Sequence, residues 1–156
     1  FDHLKPVAPK LAANLVPRLS QVCEIRSLEG PRVEHCMDDF LQEYSFIQYI
    51  YLIGMDGRLI ASAVAHPEDR PKYKTFDHDT DFSDREWFTV PMETGKMHIT
   101  DFYKSHFTGK LCLTVAIPVT DEEDDIQGVL GADIRFEELL KRQEDLEDEA
   151  QTGEAV

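Results

Sequence analysis

The sequence predicts an α+β domain built on a five-stranded antiparallel sheet with an N-terminal helical arm and a C-terminal helix. Five short apolar runs bounded by Gly and Asp predict strands, and their short connections make neighbouring strands antiparallel. Two stretches with apolar residues spaced by three and four, one before and one after the runs, predict amphipathic helices. Because the helices are separate from the strand runs, we expect two layers.

The N-terminal arm, residues 1–45, carries an apolar stripe. Residues 4–28 place an apolar side chain at steps of three and four, which is typical of one helix face. Gly30-Pro31 ends this helix and starts a second one over Val33 to Tyr44. Such a stripe either covers the sheet of its own chain or packs on a second copy in a homodimer. The sequence leaves both open.

The predicted strands form a hairpin followed by a three-stranded meander. Asp56-Gly57 separates the first two runs, and this dipeptide favours a tight hairpin because both residues tolerate positive φ. An acidic turn over residues 121–125 joins the last two runs. The five predicted strands are Phe46 to Ile53, Leu59 to Val64, Met97 to Tyr103, Leu111 to Val119 and Ile126 to Ile134.

Residues 66–84 between the second and third strands lack periodicity and are rich in Pro and Asp. Loops of this length in a compact domain tend to border functional sites. Ser83 is placed to cap a short helix that carries Arg85, Trp87 and Phe88. The Asp and His residues of the loop match no calcium or zinc spacing, so we expect no metal site.

The chain divides into the arm, a core over residues 46–140 and an acidic C-terminal helix and tail over residues 141–156. The formal net charge of -15 repels phosphate backbones, so nucleic acid is not an expected partner. No phosphate-binding loop and no ordered nucleophile–base set occurs, so we expect neither an enzyme nor a cofactor. No apolar run reaches the roughly 18 residues of a membrane span.

The chain has three cysteines, an odd number without a close-spaced pair, which is not the pattern of a disulfide framework. One bridge between Cys23 and Cys36 stays open. Cys112 lies between two leucines in a predicted strand and should face opposite to them.

Three segments resemble the Cache family of PAS-like sensor domains, also called PDC domains: SDREWF at residues 83–88, DFYKSHFTGKLCLT at 101–114 and GVLGADI at 128–134. The resemblance implies a domain that binds a small organic ligand, a carboxylate or an amino acid. It also implies an output signalling domain, in the same protein or in a partner. Because family members are mostly extracytoplasmic, the resemblance slightly favours the extracytoplasmic face of the inner membrane. The acidic C-terminal helix and the unpaired cysteines favour the alternative, a soluble cytoplasmic member.

Within this resemblance, Arg85, Trp87, Tyr103 and Asp133 stand at the positions of the family's amino-acid motif. Phe88 occupies a position that is usually Tyr in that motif. Thr80, likewise, stands where the motif has a Tyr. The amino-acid class is therefore weighed against short carboxylates, and the sequence leaves both open. Ser105, near the predicted hairpin mouth, is a further candidate for ligand binding.

Physical chemistry supports the same residues independently. Arg85 offers a planar fork of donors that matches a carboxylate, although a salt bridge to a neighbouring acid would also occupy it. Asp133 sits in an otherwise apolar run, where a carboxylate must be paired. Its partner is a ligand ammonium, an arginine or a helix N-terminus. The expected function is a sensory binding module, and the alternative is a structural dimerisation module with a vestigial pocket.

Overall fold

A computed structural model of the protein describes residues 16, 18–21, 23–25, 30–44, 47–66, 68, 80–104, 109–138 and 141. Its two helices with defined bounds are α1 (Gly30–Glu43) and α2 (Glu86–Thr94). The strands are β1 (Ile47–Gly54), β2 (Leu59–Val64), β3 (His98–Ile99), β4 (Tyr103–Lys104), β5 (Leu111–Thr120) and β6 (Ile126–Arg135).

The strands form one antiparallel sheet in the order β2-β1-β6-β5-β3, with β4 also paired to β5. The predicted antiparallel sheet, hairpin and meander are confirmed. The predicted third strand is divided into β3 and β4, which makes six strands instead of five. At the break, the Thr100 hydroxyl accepts the N–H of Thr114 at 2.9 Å, so a side chain takes part in the pairing.

The two faces of the sheet are covered by different helices. Strand β1 is buried at all eight positions, so both of its faces need cover. Alternate residues pack into two separate apolar clusters, one containing α1 and the other containing side chains of α2. We call these the α1 face and the α2 face. The expected two-layer arrangement is therefore wrong in one respect, because the described helices lie on opposite sides of the sheet.

The α1 face holds the larger apolar cluster. Helix α1 buries Val33, Met37, Phe40 and Leu41, which follow the spacing of one helix face. Val16, Leu19 and Ile25 of the arm belong to the same cluster. Over its described part, the apolar stripe of the arm therefore covers the sheet of its own chain.

A disulfide joins Cys23, at the turn that follows the first helical segment, to Cys36 on α1. This is the bridge that the sequence left open, and it fastens the arm to α1 across 13 positions of the chain. Cys112 is a free, buried cysteine on β5.

The β1–β2 hairpin positions the start of α2. Gly57 takes a positive φ of 79°, as the predicted hairpin requires. Its carbonyl accepts the N–H of Phe82 at 2.8 Å, and Arg58 forms a β-bridge with Asp81. A Cβ at position 57 would lie 2.8 Å from Ser83, so only glycine allows this close approach. The segment that leads into α2 is thus held against the hairpin.

Helix α2 starts two residues later than the sequence predicted. Arg85 is the N-cap residue, with an extended backbone and no capping hydrogen bond from its side chain. Ser83 is not the cap; its N–H instead donates to the carboxylate of Asp81 at 2.9 Å. Gly95 closes the helix in the left-handed conformation, donating its N–H to the carbonyl of Pro91.

At the other end of the chain, residues 136–138 are helical directly after β6. Except for residue 141, the remainder of the predicted C-terminal helix lies outside the described residues. In the part of the chain that is described, no helix combines the length and the apolar character needed to cross a membrane.

Candidate functional site

The candidate site centres on Asp133, a carboxylate on the α2 face of β6. Asp133 is only 4% exposed. Its neighbours along β6, Ala132 and Ile134, point to the α1 face and pack in the larger apolar cluster. A carboxylate in such a position is costly unless other groups stabilise its charge.

Three hydroxyls surround this carboxylate. Tyr51 on β1 donates to Asp133 Oδ1 at 2.7 Å, and Thr114 on β5 donates to the same oxygen at 2.7 Å. Tyr103 on β4 forms a short hydrogen bond with the Thr114 hydroxyl. Strand register explains the arrangement, since Thr114 lies directly opposite Asp133. We call Tyr51, Tyr103, Thr114 and Asp133 the hydroxyl–carboxylate cluster.

Burial controls the proton equilibria of this cluster. Desolvation raises the pKa of Asp133 to about 6, although hydrogen bonding within the cluster, by the Thr114, Tyr51 and Tyr103 hydroxyls, opposes the rise. Desolvation also raises the pKa of Tyr51 and of Tyr103 far above the ordinary phenol value, and the nearby Asp133 charge adds to it. Both phenols are therefore protonated donors at any physiological pH, while Asp133 titrates near neutrality.

The partners expected for Asp133 from the sequence are not the ones observed. Within the described residues, its hydrogen bonds come from hydroxyls alone, not from Arg85, Arg135 or a helix N-terminus. No arginine or lysine of the described chain forms an ion pair with it. Among the described residues, the site therefore holds an acid without a cationic partner.

A glycine makes room for Tyr51. Gly131 on β6 lies opposite Tyr51 in the strand register. A Cβ at position 131 would come within 2.2 Å of the Tyr51 ring. The Tyr51 ring thus lies over Gly131, and its hydroxyl reaches Asp133 two residues further along β6.

Aromatic rings extend from Tyr51 to helix α2. The Trp87 ring lies 4.7 Å from that of Tyr51, measured between centroids, and Phe82 lies 5.7 Å from Trp87. Trp87 is partly exposed, whereas Tyr51 and Phe82 are buried. We call Tyr51, Phe82 and Trp87 the aromatic wall, which connects the carboxylate to the surface beside α2.

The structure brings three of the sequence-predicted site residues into one place. Tyr103 and Asp133 belong to the hydroxyl–carboxylate cluster, and Trp87 contacts it through Tyr51. Arg85 lies two residues before Trp87, at the start of α2, partly buried and without an ion pair to any described residue.

Two further predicted residues do not appear in this cluster. Phe88 is 4% exposed and packs in the apolar cluster beneath α2, so it supports the helix from below. Ser105 lies outside the described residues. In the described chain, no group of His, Cys, Asp and Glu side chains is arranged to hold a metal ion.

Sequence reasoning missed Tyr51 and Thr114. Both lie inside apolar runs that were assigned to strands and nothing more. An available signal was the presence of a hydroxyl at these positions, since a polar tip within a buried strand needs a partner. Their pairing with Asp133 depends on register, which the sequence did not supply.

A family model for the Cache domain matches residues 7–156 of this chain. The chain belongs to the Cache domain family. The family assignment confirms the resemblance drawn from the three sequence segments, and it covers the arm and the tail as well as the central sheet.

A relative of this Cache domain is Citrate (Re)-synthase from Syntrophus aciditrophicus (strain SB). The two sequences are 38% identical over 144 residues. The match takes in 92% of this chain but 23% of the relative, so the chain spans less than a quarter of that protein.

Solved structures share the fold. The ligand-binding domain of the amino acid chemoreceptor PctB of Pseudomonas aeruginosa PAO1, in complex with L-Arg, is 19% identical with a TM-score of 0.61. The sensor domain of the histidine kinase DctB of V. cholerae is also 19% identical with a TM-score of 0.61. This chain is covered to 88% in both, and it spans 53% and 54% of those chains. At such identity the likeness establishes the Cache fold.

Proposed function

We propose that this Cache domain is a sensory module that binds a small molecule carrying an ammonium group, with amino acids as the first class of candidates. The observation that carries the proposal is Asp133, a buried carboxylate that has hydroxyl partners and no cation among the described residues. An ammonium ligand would supply the missing positive charge.

The same observation favours an amine over a simple carboxylate ligand. Acetate or propionate beside Asp133 would place two negative charges in one desolvated site, which is strongly unfavourable. A ligand ammonium instead forms a charge-assisted hydrogen bond with Asp133, which is stronger than a neutral one. Its carbon chain can pack on the aromatic wall.

Arg85 is the proposed anchor for the ligand carboxylate. It lies at the start of α2, two residues from Trp87 of the aromatic wall. Its guanidinium offers two parallel donors to a carboxylate. Amino acids carry both charges, and solved Cache-like structures include complexes with L-Arg and L-norvaline, which supports this ligand class.

Binding would be transmitted along two short connections to the terminal helix. Asp133 lies on β6, which ends at Arg135 and leads directly into the helical residues 136–138. Phe102, next to Tyr103, packs edge-on against Phe136 with 5.6 Å between ring centroids. A ligand that moves Tyr103 or Asp133 would therefore shift the start of this helix, favouring one arrangement of the output domain.

We propose a binding role rather than catalysis. The chain spans only 23% of the related citrate synthase, so the activity in that name is not assigned to it. Thr114, one of the two hydroxyls that donate to the carboxylate at 2.7 Å, is 0% exposed and therefore is not presented to a substrate. The homodimer through the N-terminal helices stays a prediction.

The disulfide supports an extracytoplasmic location. Structural disulfides persist in oxidising compartments and are rare in the cytosol. Two of the three cysteines are paired, so the cysteines no longer favour the cytoplasmic alternative. A neighbour described as an extracellular ligand binding receptor, from Desulfohalobium retbaense, has a TM-score of 0.60 and is consistent with this location.

The test is a thermal-shift screen of the twenty L-amino acids together with acetate, propionate and pyruvate, followed by calorimetry on each compound that stabilises the domain. A ligand present at 100 times its Kd stabilises the folded state by about 2.7 kcal/mol. We expect at least one amino acid to bind. Asp133→Asn should weaken its binding by about 100-fold, because the charged partner is lost.

Asp125→Asn is the matched control, since it neutralises an exposed carboxylate in the turn between β5 and β6. This variant should bind like the wild type. Equal affinity in the Asp133 variant, or binding confined to the simple carboxylates, would remove Asp133 from the site and end the proposal.

A further inference from the structure

Every hydroxyl proton of the hydroxyl–carboxylate cluster is donated to another member of the cluster. Thr114 has one hydroxyl proton and donates it to Asp133 Oδ1 at 2.7 Å. Tyr103 must therefore be the donor in its hydrogen bond with Thr114. Tyr51 donates its own proton to Asp133 Oδ1 at 2.7 Å. Three hydroxyl protons are thus committed, directly or through Thr114, to one carboxylate oxygen.

The cluster consequently presents acceptors to a ligand. The hydrogen bonds from Tyr51 and Thr114 to Asp133 both end on Oδ1, so neither of these residues occupies Oδ2. The phenol oxygens of Tyr51 and Tyr103 keep lone pairs after donating their protons. Three oxygens from three strands, one of them charged, therefore lie together as acceptors within one hydrogen-bonded cluster, and the cluster itself has no proton left to donate.

The Tyr51 ring of the aromatic wall packs against other rings. The Tyr51 ring contacts Trp87 at 4.7 Å and Tyr49 at 5.0 Å between centroids, so its neighbours are other rings. Sites for quaternary ammonium groups expose several ring faces around an open volume. Here hydrogen-bond acceptors, more than ring faces, are offered to a cation.

We propose that the hydroxyl–carboxylate cluster discriminates ligands by the substitution of their nitrogen, accepting a primary ammonium and rejecting N-methylated ones. The inference rests on the proposed function and makes it more specific. A primary ammonium has three N–H donors for three acceptor oxygens. Each methyl group removes one donor and leaves one desolvated acceptor unpaired, which costs more than the lost bond itself.

The experiment uses two series of four compounds on the whole domain. One is glycine with its N-methyl, N,N-dimethyl and N,N,N-trimethyl forms, and the other is L-valine with the same derivatives. If another amino acid is the tightest binder in the screen, its own N-methyl series is added. Isothermal titration at pH 7.5 gives each Kd.

The first methyl group should weaken binding by about tenfold and three methyl groups by at least about 100-fold. Equal or tighter binding of the methylated compounds than of their parents would overturn the inference while leaving an amine-binding site in place. Failure of every primary amine to bind would overturn the proposed function as well.

A pair of variants tests the mechanism of the discrimination. Tyr103→Phe removes one acceptor oxygen, so the ratio between the Kd values of the N-methyl and parent compounds should fall to about threefold. Tyr44→Phe removes a tyrosine hydroxyl on the α1 side, where the ring packs on Phe40, and should leave the ratio unchanged. An unchanged ratio in Tyr103→Phe would show that size, not donor count, excludes the methylated ligands.

Discussion

The two faces of the sheet differ in what their strands bury. On the α1 face, β5 and β6 present only apolar side chains to α1 and the arm, among them Val115, Leu130 and Ile134. On the α2 face, the same strands bury Thr114 and Asp133 beside a small apolar cluster. One pair of strands therefore supports an apolar core on one side and a polar site on the other.

This difference teaches how the fold separates stability from binding. Apolar burial on the α1 face contributes about 25 cal/mol for each Å² removed from water, and it needs no precise geometry. The α2 face holds a carboxylate that burial disfavours, and only a defined set of hydroxyls makes it tolerable. Substitutions on the two faces should therefore have opposite effects on the free energy of unfolding.

The largest effect is expected for Leu130→Ala on the α1 face. Leu130 is 0% exposed in the centre of β6, so the substitution leaves a cavity that the neighbouring strands cannot close. Leucine-to-alanine changes in such positions cost 2–5 kcal/mol, and we expect about 4 kcal/mol in urea unfolding. Val64→Ala, at the partly exposed end of the edge strand β2, is the control and should cost about 1 kcal/mol. Similar losses in the two variants would show that the α1 face is not the main apolar core.

The next effect concerns the Cys23–Cys36 bridge, also on the α1 side. The bridge closes a loop of 13 positions, for which chain-entropy arguments give about 3 kcal/mol of stabilisation. Reduction by dithiothreitol should lower the unfolding free energy by this amount, and the Cys23→Ser/Cys36→Ser double variant should match the reduced wild type. Cys112→Ala is the control that keeps the bridge.

Ligand affinity measures whether the Cys23–Cys36 bridge on the α1 face affects binding on the α2 face. Cys23 and Cys36 lie on the side of the sheet opposite to Asp133. Reduction should therefore leave the Kd of an amino-acid ligand within about twofold of the value for the oxidised protein, once the Kd is corrected for the fraction of unfolded protein. A Kd that rises tenfold on reduction of a folded domain would mean that the two faces are coupled.

The sequence predicted the strands better than their contacts. β5 and β6 end within one residue of the predicted limits, because β-branched runs between turn residues are local features. The division between β3 and β4 was missed because it depends on a hydrogen bond between Thr100 and Thr114, 14 positions apart. Tertiary pairing of this kind leaves no periodic pattern in a single segment.

The candidate site shows the same limit. Asp133 stood out as an acid in an apolar strand, and Trp87 and Tyr103 came from the family resemblance. Tyr51 did not stand out, because tyrosine is common in buried strands, and its role depends on the space left by Gly131 across the register. The role of Tyr51 can therefore be recognised only when the pairing of β1 with β6 is known.

The smallest expected effect, and the one opposite in sign, is a gain of stability in Asp133→Asn. The pKa of Asp133 is raised from 3.8 to about 6 in the folded protein. Between these values the folded state holds a proton that the unfolded state has lost, so the unfolding free energy falls as the pH rises. A rise of about two units limits the loss to about 3 kcal/mol above pH 6. The asparagine variant has no such titration.

At pH 7.5 the variant should therefore be more stable than the wild type by about 2 kcal/mol, since its buried amide offsets part of the gain. At pH 3.5, below the unfolded-state pKa of 3.8, Asp133 is mostly neutral in both states, so the advantage should nearly disappear. Urea unfolding of both proteins from pH 3.5 to 7.5 measures this difference directly. A constant difference across the range would mean that Asp133 keeps an ordinary pKa and is stabilised as a charge without any ligand.

Ligand binding should show the reverse dependence on pH in the wild type. An ammonium group pairs with the ionised carboxylate, so the affinity should fall about tenfold for each pH unit below 6. The wild-type protein thus gives up stability at neutral pH to hold a charge that only a cation can compensate. If Asp133→Asn is both more stable and unable to bind the ligand, the carboxylate is retained for recognition, because its contribution to folding is unfavourable.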